Sequence, residues 1–157
     1  MPKALVVYHS QSGNTETLAK WITEAVTTEG IDVVCKKVQD TRIDELLDID
    51  GLIIGSPTYY GTMAAEIKVF LDASIKHHDK LDGKVGAAFA TAASTGQETT
   101  VISIIEALLI HGMVVQGDPQ GHHYGVTSLG KPDEQDRLRC QRFGRRFART
   151  VKKIKGE

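Results

Sequence analysis

Apolar runs of strand length alternate along this chain with amphipathic stretches of helix length, and that alternation admits few architectures. Residues 3–8 (KALVVY) read as a fully buried strand. Residues 14–28 place Leu18, Ile22, Ala25 and Val26 on one helical face, with Gly30 just past the end. Residues 31–38 alternate as a second strand, 43–47 form a short helical turn, and 51–55 (GLIIG) read as a short buried strand. A loop over 56–62 leads into a helix over 63–76, patterned by Ile67, Phe70 and Leu71. Asp82-Gly83 marks a turn before a fourth strand at 84–91. The helix over 97–111 aligns Val101, Ile104, Ile105 and Leu108 and stops at Gly112, and a fifth strand starts at 113–115. The last helix begins near Pro132, with Cys140, Phe143, Phe147, Val151 and Ile154 on one face. Strand followed by helix, five times over, predicts an α/β doubly wound, three-layer sandwich around a five-stranded parallel sheet of order 2-1-3-4-5.

A length of 157 residues fits one domain, 1–157, and an apolar content of 41% supplies a core. Cys35 and Cys140 form no CxxC pair, so neither a disulfide framework nor a zinc site is supported. No apolar run approaches the ~20 residues of a membrane span. The first residues, MPKALVVYHS, enter a strand directly and lack a signal-peptide pattern, so a cytoplasmic protein with no membrane partner is expected. Charge is unevenly spread: residues 131–157 carry +6 and the rest −7. The basic stretch lacks interleaved aromatics, since Phe143 and Phe147 share the apolar face, so it reads as a solvated face and not a nucleic-acid site.

In such sheets ligands bind beyond the carboxyl ends of the strands, at the topological switch point. The loop after strand one is Ser10-Gln11-Ser12-Gly13-Asn14-Thr15, leading into a helix. Hydroxyls, a glycine and a helix N-terminus are what a lone phosphate needs. The alternative is that Ser10, Ser12 and Thr15 merely cap the helix, a task for which one such residue suffices. Neither GxxxxGK[ST] nor GxGxxG occurs, which argues against nucleoside triphosphate and dinucleotide binding. After strand three come Pro57, Thr58, Tyr59, Tyr60 and Gly61. After strand four come Ala92, Ala93, Ser94, Thr95, Gly96 and Gln97. Both loops suit a planar amphipathic ring that needs backbone donors and an apolar cover.

The run from Val6 through Thr15, continuing to Ala19 and Ile22, resembles the flavodoxin signature, which implies a flavodoxin-like fold and FMN, its phosphate in the first loop. The stretches 55–72 and 94–112 resemble the WrbA type of NAD(P)H:quinone oxidoreductase, a flavodoxin-fold subgroup. That resemblance implies flavin-ring contacts from Pro57 to Gly61 and from Ala93 to Gln97, with Ala92 beside them, and a place for His111 near a flavin edge. It also implies a homo-oligomer, dimer or tetramer. Two loops depart from the subgroup: 94–97 is shorter than its glycine-rich version, and 116–123 is shorter than the segment that helps build its tetramer.

Carrier flavodoxins are typically strongly acidic and shield the flavin with an aromatic after strand four. This chain is near neutral and has none in 92–98. The expected function is therefore two-electron hydride transfer from NADH or NADPH through FMN to a quinone or similar small acceptor. The alternatives are an electron carrier serving a redox protein, and a flavin-binding module without turnover. No catalytic side chain is required beyond FMN. His123 or Tyr124, in the run His122-His123-Tyr124-Gly125, is expected in the acceptor pocket. Adjacent histidines in an extended segment point apart, so no metal is expected. Trp21 reads as packing, and His77-His78 as solvated.

Overall fold

The computed structural model describes residues 1–157. Strand β1 (Lys3–Tyr8) is followed by α1 (Asn14–Thr28), β2 (Asp32–Lys37), β3 (Gly51–Tyr59), β4 (Thr62–Met63) and α2 (Ala65–Ala73). Then come β5 (Val85–Ala92), α3 (Gln97–Ile110), β6 (Val114–Val115), β7 (Thr127–Leu129) and α4 (Glu134–Lys155). The sheet runs β2-β1-β3-β5-β6 with parallel pairing, and β7 lies on the same edge of β5 as β6. The expected order 2-1-3-4-5 holds, with its fifth position shared by β6 and β7.

The short helical turn expected at 43–47 is present as the 3-10 turn Ile43–Asp48, with a second over Val38–Asp40. Three local expectations need correction. Strand β3 does not stop at Gly55. It pairs with β5 as far as Pro57↔Thr91 and then folds back on β4 as a hairpin. Met63 therefore belongs to β4, and α2 starts two residues later and ends in a 3-10 turn, Ser74–His77. The fifth strand is broken by an insert over 116–126.

Alternation along the strands sorts the core onto two faces. Val6, Ile53 and Phe89 meet α1 and α4 through Leu18, Ile22, Phe147 and Val151, and Trp21 packs at the edge of that cluster. Leu52, Ile54 and Ala88 meet α2 and α3 through Ile67, Val101, Ile104 and Leu108. Gly55 makes room for Phe89: a Cβ there would lie 2.0 Å from Phe89 Cζ. This steric demand holds β3 and β5 in register as they carry their loops to the same end.

Helix α4 starts with a capping box. The Asp133 carboxylate accepts from Asp136 N–H at 2.9 Å, and Asp136 accepts from Asp133 N–H at 3.1 Å. Several of its basic side chains are tied to the body: Arg142 to Asp118, Arg149 to Glu29 and Lys155 to Asp50. His77 is not solvated. It is buried, with Nε2 2.8 Å from Asp44 Oδ1. Both cysteines are free. No helix is long and apolar enough to cross a membrane.

Candidate functional site

Strands β1, β3 and β5 are adjacent and parallel, so the loops that leave their carboxyl ends meet at one end of the sheet. In the first loop Gly13 is the N-cap residue of α1, in the left-handed conformation at φ 95° and with no side chain of its own to cap the helix. Ser10 Oγ accepts from the amides of Gly13 and Glu16, each at 3.2 Å. The amides of Gln11, Ser12, Asn14 and Thr15 donate to no acceptor in the chain. Four free donors at a helix N-terminus, with the Ser12 hydroxyl beside them, make a cradle that suits a phosphate. Glu16, in the first turn, carries the one acid there, and Lys20 Nζ at 2.8 Å neutralises it. That ion pair, then the Tyr8 hydroxyl, holds the Glu16 carboxyl below its ordinary value. Burial first, then Glu16, pushes Tyr8 up to about 12, so it stays a neutral donor.

The first loop is tied to its neighbours. Thr15 is buried, and its Oγ1 lies 2.8 Å from Thr91 Oγ1 at the end of β5. The Thr15 side chain is thus structural, and only its amide faces the cradle. Asn14 Nδ2 donates to Gly130 O at 3.3 Å, and Tyr59 Oη donates to Gln11 Oε1 at 2.8 Å.

The β3–β4 hairpin turns at Tyr60-Gly61, both with positive φ (49° and 81°), the geometry of a type I′ turn. Tyr60 stands fully exposed at its tip. Pro57 and Thr58 lie in β3, and buried Ser56 fixes the return by accepting from Ala64 N–H at 2.8 Å. The 93–96 loop docks on this tip. Thr99 Oγ1 donates to Gly61 O at 2.6 Å, and Thr100 Oγ1 donates to Thr58 Oγ1 at 3.0 Å. Gly96 has φ 84°, and a Cβ there would lie 2.9 Å from Thr58 Cγ2 and 3.0 Å from Gly61 Cα. Ala93, Ser94 and Thr95 are exposed. The amides of Tyr60, Gly61, Ser94, Thr95 and Gly96 lack acceptors in the chain. A row of free amide donors beside an exposed tyrosine fits the carbonyl edge and one face of a flavin ring.

Two histidines fall outside this cluster. His111 lies at the far end of α3, some 20 Å along the helix from the 93–96 loop. It is buried, with Nε2 2.7 Å from Ser74 Oγ. Within one chain it meets no flavin edge, because α3 runs antiparallel to the strands and carries it to their amino ends. His123 lies on the insert that breaks the fifth strand, and its Nδ1 bonds Asp118 O at 2.6 Å beneath α4. Tyr124 is half-exposed, next to Gly125, which abuts Val101 of α3. Thr91, Thr99 and Thr100 escaped the sequence reading. Their signal is a hydroxyl at a strand end or in a first helical turn, where capping accounts for it equally well.

The flavodoxin domain family matches residues 5–111. An NAD(P)H dehydrogenase (quinone) from Archaeoglobus fulgidus is 32% identical, covering 98% of this chain and 100% of that protein, over 190 aligned positions. A flavodoxin from Aquifex aeolicus is 35% identical, covering 96% of this chain and 88% of that protein, over 162 positions. The longer alignment reflects extra segments in the dehydrogenase that this chain lacks. Among solved structures, a flavodoxin from the domain Archaea superposes with TM-score 0.82 at 33% identity, covering 96% of this chain and 99% of that one.

Proposed function

The chain belongs to the flavodoxin domain family, and we propose that residues 1–157 form a single FMN-binding domain that acts as an NAD(P)H:quinone oxidoreductase. FMN supplies a redox centre able to take up and release a hydride or single electrons. The free amides of Gln11, Ser12, Asn14 and Thr15 hold its phosphate, and the Ser10 hydroxyl orders that loop. Free amides from Tyr60 to Gly61 and from Ser94 to Gly96 meet the polar edge of the ring, and Tyr60 covers one face.

The observation that carries the enzymatic reading is that residues 92–98 contain no aromatic that could cover the second face of a bound flavin, and that Ala93, Ser94 and Thr95 are exposed. A flavin open on that face would accept a stacked nicotinamide or quinone as hydride transfer requires. NADH or NADPH is the proposed donor and a quinone or similar small molecule the acceptor, in line with the name of the archaeal relative. Of the residues expected around the acceptor, Tyr124 is retained; His111 and His123 are not. The proposed setting is the cytoplasm.

One observation favours a second reading, an electron carrier for a redox protein. The chain aligns with a flavodoxin over 162 positions and lacks the extra segments of the quinone dehydrogenase. An anaerobic titration with NADH and NADPH, following flavin absorbance, separates the two. Prompt bleaching reversed by added quinone is the expected result. No bleaching by either nucleotide, with reduction by a reduced redox protein, transfers the assignment to the carrier. Tight FMN with no turnover for any donor–acceptor pair leaves a flavin-binding module. Failure to bind FMN at all overturns every one of these readings.

A further inference from the structure

Where the fifth strand is interrupted, the chain encloses a cavity of about 150 Å³ between β5, the 116–126 insert and α4. It opens beside Val85, Gly86 and Ala87, in the amino-terminal half of β5. From Ala87 to the 93–96 loop is about 20 Å along the strand direction. The cavity is therefore separate from the cleft proposed for FMN, and its reading does not depend on that proposal.

Its floor is apolar: Ala87, Val126, Phe143 and Phe147. Its wall is cationic, with three guanidinium groups, Arg139, Arg142 and Arg146, against the single carboxylate of Asp118. That carboxylate is already saturated. It accepts from Arg142 Nε at 2.7 Å, from Arg142 Nη2 at 2.9 Å and from Gln120 N–H at 2.9 Å, with Arg146 Nε at 3.5 Å. Within the chain Arg139 makes one contact, 3.3 Å to Asp136 Oδ1, and its half-exposed guanidinium leaves most of its five N–H groups free for a ligand or solvent.

His122 adds a second donor. Its Nδ1 accepts from Thr127 N–H at 3.1 Å, which puts the ring proton on Nε2, and that N–H has no acceptor in the chain. The ring is held there by strained backbone. His122 has φ 46°, and Gly125 has φ 150° where a Cβ would strike Ala88 O. A non-glycine residue held in the left-handed region beside a cavity is a recurrent mark of a binding site. Donors without acceptors above an apolar floor call for a ligand with one anionic group on a compact apolar body. The volume is that of a cavity known to admit a benzene-sized ring.

We propose that this cavity binds a small monocarboxylate with an aromatic or branched apolar body, its carboxylate on Arg139 and His122 Nε2–H and its body on Phe143 and Ala87. The test is a titration of the purified protein, with and without FMN, using benzoate as the probe. Benzyl alcohol and inorganic phosphate serve as comparators. Binding is followed by calorimetry and by the ring and guanidinium NMR signals of His122 and Arg139. The expected result is one benzoate per chain, with both signals moving and at least ten-fold weaker binding of either comparator. Arg139→Gln weakens benzoate at least ten-fold. Ala87→Leu, which fills the floor, abolishes its binding. Flavin absorbance stays unchanged, and FMN affinity is the same with or without benzoate. Three outcomes overturn the proposal: no movement of the His122 and Arg139 signals, benzoate binding unaffected by both substitutions, or competition between benzoate and FMN.

Discussion

The hydroxyl oxygens of Thr15 and Thr91 lie 2.8 Å apart in the core, joining the start of α1 to the end of β5. This bond links the 10–15 loop that follows β1 to the end of β5, from which the 93–96 loop leaves. Thr15→Val keeps the shape but leaves the Thr91 hydroxyl without its partner. The expected cost is about 1–2 kcal/mol of stability. Thr91→Val alone costs a similar amount, and the double variant costs less than the sum of the two. Urea unfolding of the four proteins checks this. Strict additivity would mean that the bond contributes nothing.

Gly96 sits where the 93–96 loop rests on the hairpin tip, at φ 84° and within 3.0 Å of Gly61 Cα for an added Cβ. Gly96→Ala adds about 1–2 kcal/mol of backbone strain. The loop relieves the contact by moving off the tip, which misplaces the free amides of Ser94 and Thr95. The expected readout is an FMN dissociation constant raised roughly ten-fold, measured by quenching of flavin fluorescence. An unchanged constant would show that these amides do not hold the ring.

The sheet order and the convergence of three loops at one end of the sheet were legible in the sequence, because buried parallel strands read as apolar runs and their carboxyl-end loops follow directly. What was hidden depended on partners far along the chain. Nothing local shows that Thr15 meets Thr91, or that Gly61 is capped by Thr99. The hairpin at Tyr60-Gly61 was missed because Thr62-Met63-Ala64 carries no strand signal. Pairing with Thr58 and Tyr59 makes it a strand. His111 was misplaced for another reason: its position beside a flavin rested on resemblance, while the length of α3 within this one chain puts it at the opposite end.

His111 also makes stability depend on pH. Ser74 Oγ donates to Leu71 O, so it accepts from His111 Nε2–H, and the buried Nδ1 has no partner. Burial, and to a lesser degree His78, lowers the pKa of His111 below 6.5. The unfolded chain protonates near 6.5. Below that pH the unfolded state gains a proton that the folded state refuses, so stability is full above about 6.5 and falls as pH drops toward the folded pKa. His122, also lowered by burial, acts in the same direction. Urea midpoints between pH 8 and pH 5 should therefore decline in the native protein, and less steeply in His111→Gln. Equal slopes would remove His111 as a source.

Asp118 works in the acid range with the carboxylate's own sign. Its bidentate bond from Arg142, opposed by burial and aided by the Gln120 amide and Arg146, holds its pKa at about 2. The unfolded carboxyl titrates near 3.9. Between these values the unfolded state binds the extra proton, so the contribution is full above about pH 4 and is lost as pH falls toward 2. Asp118→Asn removes the charge while keeping the size. The expected loss at pH 7 is about 1 kcal/mol, modest because the Arg142 side chain is 40% exposed. Below pH 4 the variant should lose stability less steeply than the native chain, until the two curves converge near pH 2. Curves that stay parallel throughout would show that Asp118 is not held by Arg142, and that the 116–126 insert is fastened to α4 by its other bonds, Gly117 O with Arg146 and Gln116 with Thr150.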